Sequence, residues 1–202
     1  MKPLVLGLLS LLVATVTLAC EPLNDNGGTS PIVINFDSRG YVLTGSNAPV
    51  EFDISATGQQ WRIGWTAAEA DEAFLALDRN GNGVIDNGAE LFGNATPLKN
   101  GALARSGFHA LHEFDDNHDG MINSSDGIWS QLLLWRDWNH DGLSQPWEIT
   151  LVSASTLAAI DLAYHWTGRR DSFGNTFRYE SRIVTANGRQ RPAYDVYFVR
   201  VP

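Results

Sequence analysis

The chain has 202 residues, 44% hydrophobic and 18% charged, with a formal net charge of -9 at pH 7. That length suits one medium domain with a leader, and the composition can bury a core, which excludes a disordered chain. With 14 Lys and Arg against 23 Asp and Glu, a nucleic-acid partner is excluded, because binding phosphates needs clustered positive charge. A cation suits the chain wherever its carboxylates converge.

Residues 1–19 read as a secretory signal. Lys2 gives the positive start, Leu4 to Ala19 form an apolar stretch, and Ala19 is small at the expected cut. The stretch is marginal for a membrane span, which needs about 20 apolar residues. Cys20 follows as the single cysteine and cannot form an intramolecular disulfide. Thr17-Leu18-Ala19-Cys20 resembles a bacterial lipobox, with Thr17 where that family prefers Leu. The resemblance implies acylation of Cys20 and, with Glu21 next, sorting to the outer membrane of a Gram-negative cell envelope. Residues 20–30 then form a lipid-anchored tether, its last ten (EPLNDNGGTS) polar and non-periodic, spanning roughly 17 Å root-mean-square. The domain proper is residues 31–202.

Short β-prone runs at 31–36 and 41–44 are expected to pair as strands. Thr66-Ala67-Ala68-Glu69 has the form of a capping box and predicts a helix through Leu77, with Ala70, Phe74 and Leu77 on one face. Residues 93–105 read as a connection, and Gly107 to Phe114 as a short helix. Strands follow at 159–166, 176–184 and 193–201, separated by turn signals at Phe173-Gly174-Asn175 and Asn187-Gly188. The expected class is α+β: EF-hand-like calcium loops with short helices, flanked by N-terminal and C-terminal strands.

Three acidic loops carry the chemistry. Calcium takes six to eight oxygens, and a twelve-residue loop supplies them from positions 1, 3, 5, 7 (main-chain carbonyl), 9 and 12, with Gly at 6 for the turn. Residues 137–148 fit in full: Asp137, Asn139 and Asp141, then Gly142, the carbonyl of Leu143, and Glu148 to chelate with both oxygens. Residues 115–126 supply Asp115, Asn117, Asp119, Gly120, the carbonyl of Met121 and the shorter Asp126. Residues 78–90 supply Asp78, Asn80, Asn82, Gly83, the carbonyl of Val84 and Asp86. Here Ala89 takes position 12 and the carboxylate arrives one residue late, at Glu90, after an extra Gly88. Two to three Ca²⁺ ions are expected. Only residues 127–136 separate the second and third loops, so a single helix about 15 Å long is expected to serve both. That fused arrangement points to a structural ion more than a signalling one.

Two further traces keep the loop spacing without a competent site. Asn35, Asp37 and Gly40 carry Arg39 at position 5, and Asp53, Ser55, Thr57 and Gly58 hold one carboxylate. His109, His112 and Glu113 do not follow the His-Glu-x-x-His order of zinc proteases, and fit helix packing. His118 and His140, at position 4 of their loops, are expected in solvent. Trp135, Trp138 and Trp147 suggest stacked sugars, but packing around the third loop is the stronger reading.

The phrases Leu77 to Gly93, Gly107 to Asp119 and Leu134 to Ser144 resemble the calcium-dependent self-processing module of RTX-type secreted proteins, over about residues 31–201. The resemblance implies that calcium folds the module and that an Asp-Pro bond at its N-terminal edge breaks. Ser30 precedes Pro31 here and no Asp-Pro dipeptide occurs, so no self-cleavage is expected. The expectation is a non-enzymatic, calcium-stabilised envelope lipoprotein with an interaction or scaffolding role. Its partners are calcium, a membrane through the anchor alone, and an unidentified protein or surface. Two alternatives stand beside it: a self-processing or peptide-ligating relative, and a dockerin-like partner module.

Overall fold

The structure, a computed structural model, describes residues 28–36 and 40–202. The signal segment, Cys20, most of the tether and Asp37 lie outside them. The architecture is decided at Glu72–Ala76, where a helix is expected and a strand is found with every residue buried. Ala73 and Leu75 pack into one hydrophobic cluster, Phe74 and Ala76 into another. A strand covered on both faces loses the alternation of polar and apolar residues that marks a half-buried one. Its Ala, Leu and Glu then read as helix formers. Burial overrides that propensity.

In chain order the described strands are β1 (Ile32–Asn35), β2 (Val50–Phe52), β3 (Trp61–Ile63), β4 (Glu72–Ala76), β5 (Met121–Asn123) and β6 (Leu133–Trp135). They continue as β7 (Ile149–Leu151), β8 (Leu157–Asp161), β9 (His165–Arg170), β10 (Thr176–Thr185) and β11 (Gln190–Tyr197). One five-residue helix, α1 (Gly107–Leu111), runs into a 3₁₀ turn at His112–Phe114. Among the described residues the protein is therefore mostly β, and the α+β expectation with EF-hand helices is overturned. The loops are present without the helices that flank an EF-hand.

Nine strands form one sheet in the order β5-β8-β10-β11-β1-β4-β6-β7, with β9 also against β10, and β2 pairs with β3 separately. Neighbours are antiparallel throughout. β1 lies between β11 and β4 and does not pair with 41–44, where Leu43 makes only a bridge to Thr66. The connector 127–136 is one 3₁₀ turn at Gly127–Ser130 followed by β6. Leu134 and Trp135 lie in opposite clusters, again a two-faced burial that a helical reading mistakes. Both turn signals stand where expected, with Gly174 at φ 96° and Gly188 at φ 77°. The expected strand 176–184 is β10, but 159–166 is divided between β8 and β9, and 193–201 starts earlier and ends earlier as β11.

One face of the sheet packs on α1, with Phe108 and Leu111 against Ile32, Leu75 and Ile160. Ser106 caps that helix by accepting from the His109 N–H at 3.1 Å. The other face holds an aromatic cluster in which Trp65 lies 4.4 Å from Phe74, 5.5 Å from Phe198 and 5.7 Å from Trp135, ring to ring. Such pairs add about 0.5–1.5 kcal/mol each beyond their burial. The first loop leaves the C-terminal end of β4 and the third joins β6 to β7; β4 and β6 are antiparallel neighbours, so the two loops start from opposite ends of that strand pair.

Candidate metal centre

Each acidic loop is wound by its own side chains. The carboxylate at position 1 accepts from the N–H groups of positions 5 and 6. Asn82 and Gly83 donate to Asp78 at 3.2 and 2.9 Å. Asp119 and Gly120 donate to Asp115 at 3.2 and 3.0 Å. Asp141 and Gly142 donate to Asp137 at 3.1 and 2.8 Å. The asparagine oxygen at position 3 accepts from position 5 in all three loops, at 2.9, 3.1 and 3.2 Å. Position 5 then accepts from the N–H of Val84, Met121 or Leu143 at 3.0, 2.9 and 2.8 Å. Bonds of this kind gather oxygens toward one side of a loop.

The backbone shows the same repeat. Position 4 is left-handed in every case, at Gly81 (φ 73°), His118 (58°) and His140 (61°), and so is the glycine at position 6 (84°, 80° and 75°). A left-handed residue favours glycine. Two histidines hold that conformation at position 4 because the winding enforces it.

The closing carboxylates settle the register of the first loop. Glu148 accepts from Trp138 N–H (position 2) at 2.9 Å and Gln145 N–H (position 9) at 3.2 Å. Asp126 accepts from Asp116 and Asn123, the same two positions, both at 2.9 Å. Glu90, one residue late, accepts from Arg79 at 3.1 Å and Asp86 at 3.0 Å, again positions 2 and 9. The extra residue is absorbed before Glu90, where Gly88 donates to the Asp53 carbonyl at 2.8 Å. A Cβ on Gly88 would lie 1.8 Å from the Ile54 carbonyl oxygen. Gly88 is therefore required by close packing, without any unusual φ.

Asp115, Asp126, Asp137, Glu90 and Glu148 are all buried. Desolvation raises the pKa of Glu148, and the Asp137 charge adds to it, while hydrogen bonds from Gln145, Trp135 and Trp138 oppose the rise. Trp65 donates its indole N–H to Asp137 at 2.8 Å, joining the aromatic cluster to the third loop. No three or more His, Cys, Asp or Glu side chains among the described residues form a metal-binding group by themselves. Each donor set depends on asparagine and main-chain oxygens as well. One orphan bears on the fit: Gln145, at position 9 of the third loop, has a buried Oε1 with no partner. That oxygen, like Asn123 at position 9 of the second loop, was not among the residues singled out from sequence. The position-9 rule could have found both. An all-oxygen set of neutral and anionic donors fits a hard cation.

The loops pair differently from expectation. Ser144, at position 8 of the third loop, accepts from the Ile85 N–H at 2.6 Å and donates to the Ile85 carbonyl at 3.2 Å. Ile85 is position 8 of the first loop. The first and third loops are thus joined at matching positions, while the second sets β5 against β8. The 53–58 trace is a wound loop of the same kind: Thr57 and Gly58 donate to Asp53 at 3.1 and 2.7 Å, and Ala56 and Gly58 are left-handed. At its position 9 stands Trp61, whose indole N–H donates to Ser55 at 3.3 Å. Asn35, in the other trace, donates to the Gly40 carbonyl and the Glu72 carboxylate.

His118 is exposed. His140 is not free in solvent, since its ring nitrogens lie 2.7 and 3.1 Å from the carbonyl oxygens of Thr66 and Ala48. His109 Nδ1 accepts from the Arg105 N–H just before α1, and Glu113, in the 3₁₀ turn, accepts from the Lys99 N–H and so holds the 93–105 connection. Trp135 is core, as expected, but Trp138 and Trp147 are exposed.

Comparison with known proteins places two similarities beside this geometry. A family model described as the SPM domain matches residues 32–199. The chain is also 36% identical over 160 residues to the iron-regulated protein FrpA of Neisseria meningitidis serogroup C. That match covers 78% of this chain and 14% of FrpA, so the chain spans a small part of that relative's length.

Proposed function

The chain belongs to the SPM domain family, and on that premise we propose that it is a calcium-binding, calcium-stabilised module holding one ion in each of the loops 78–90, 115–126 and 137–148. The observation carrying this reading is that Glu90, Asp126 and Glu148 each span the N–H groups of positions 2 and 9. This holds despite the different length of the first loop. The ligands are Asp78, Asn80, Asn82, Asp86 and Glu90; Asp115, Asn117, Asp119 and Asp126; Asp137, Asn139, Asp141 and Glu148. The carbonyls of Val84, Met121 and Leu143 and the amide of Gln145 complete them. A divalent ion neutralises carboxylates that burial otherwise holds close together. Occupancy then adds to stability by mass action, about 4 kcal/mol per site when free calcium is a thousandfold above the dissociation constant.

The role we assign is structural and non-enzymatic, in an envelope protein anchored through Cys20. It extends the resemblance to self-processing modules without their cleavage, because Ser30 carries no carboxylate to attack its own carbonyl. Thermal unfolding followed by circular dichroism, with excess calcium and with a chelator, tests the reading. Calcium is expected to raise the midpoint by more than 10 °C, since about 1 kcal/mol moves a domain of this size by roughly 2–4 °C. Coincident curves would overturn it.

A further inference from the structure

Trp138 and Trp147 line an open cleft of ≈ 490 Å³ together with Glu69 and Asn139. The indoles are 37% and 63% exposed, and neither belongs to the aromatic cluster of the core. Glu69 sits at the rim in a left-handed conformation, φ 59°, held by its N–H donating to the Trp138 carbonyl at 3.0 Å. Its carboxylate has no hydrogen-bond partner among the described residues. Trp138 is fixed in turn by its own N–H, which donates to Glu148 at 2.9 Å. The cleft therefore holds two large aromatic side chains and one uncommitted negative charge, on a well-tied backbone.

The ligand class follows from which polar groups are available. Asn139 is occupied within its loop, accepting from the Asp141 N–H at 3.2 Å and donating to the Asp141 carboxylate at 2.8 Å. Glu69 is then the free charged side chain, beside the indole N–H groups of Trp138 and Trp147. A saccharide, with more hydroxyls than one carboxylate and two N–H donors satisfy, is poorly served there. A lysine ammonium is strongly hydrated and has three N–H groups to place; one carboxylate cannot replace its water. A quaternary ammonium has no N–H groups, is attracted by aromatic rings, and gains from a neighbouring carboxylate. We propose that this cleft is a binding site for a quaternary ammonium group.

Trp138 and Asn139 belong to the third loop, so the site rests on the winding of that loop, and the two buffers below separate its failure from that of the calcium reading. The test is a ¹H–¹⁵N NMR titration of the purified protein with tetramethylammonium chloride, following the indole N–H signals against sodium chloride at equal concentration. It is run with calcium and with chelator. Saturable shifts of the Trp138 and Trp147 signals are expected, with affinity reduced about fivefold in Glu69→Gln and in Trp147→Ala. Both positions are exposed, so the fold is retained, and unchanged core indole signals check it. Choline and a trimethyllysine peptide, titrated separately, distinguish a lipid headgroup from a protein source; tighter binding of either supports the proposal. Three results would overturn it: no saturable shift in either buffer up to roughly 100 mM, equal affinity in Glu69→Gln, or saturation by a methyl glycoside instead.

Discussion

Glu90 and Gly88 solve one problem together. The first loop is a residue longer than the other two, and its carboxylate reaches the same two N–H groups because positions 87–89 fold against Asp53 and Ile54. Glu90→Gln keeps the shape and removes a charge, so the protein should fold but bind calcium at this loop at least tenfold more weakly by isothermal calorimetry, a loss of about 1.4 kcal/mol. Gly88→Ala acts differently. Its methyl group would meet backbone, which does not yield as a side chain does, and stability should fall by roughly 3 kcal/mol in urea denaturation. Most donors could be read from sequence because the loop winding is local: positions 1, 3, 5 and 6 act within six residues. The close approach of Gly88 to Ile54 is not local, and spacing alone could not reveal it.

The same distinction holds for elements. β10 and β11 show in the sequence because a turn signal separates long strands, and α1 because Ser106 and the run of apolar residues are adjacent. β4 and β6 do not, since each is buried on two faces and lacks a period of two. Mistaking them for helices produced the α+β expectation and the pairing of the second loop with the third. In the structure, Ser144 and Ile85 join the third loop to the first. Ser144→Ala would leave a buried Ile85 N–H without its acceptor, at a cost of about 1–3 kcal/mol. Calcium binding to the first and third loops should also become less cooperative. Calorimetric titration checks this: the two sites should separate into distinct phases, while binding at the second loop is unchanged.

Across the whole molecule, the 48–58 segment draws the parts together. His140 lies against the Ala48 carbonyl, Gly142 packs near Val50 and Glu51, and Gly88 donates to Asp53. A wound loop without a full donor set thus buttresses two loops that have one. Trp65 carries the connection inward, from Asp137 to the aromatic face of the sheet. Under the proposed calcium reading, occupancy would be linked to the core and not only to the surface. The acidic balance of the chain, -9 overall, would make that linkage consequential, because an empty loop keeps its buried carboxylates without a cation. The most direct measurement is native mass spectrometry of the purified protein titrated with calcium to millimolar concentration. The account predicts a final state with three bound ions and an unbroken chain. A spectrum without bound calcium, or one in which calcium produces fragments, would contradict it.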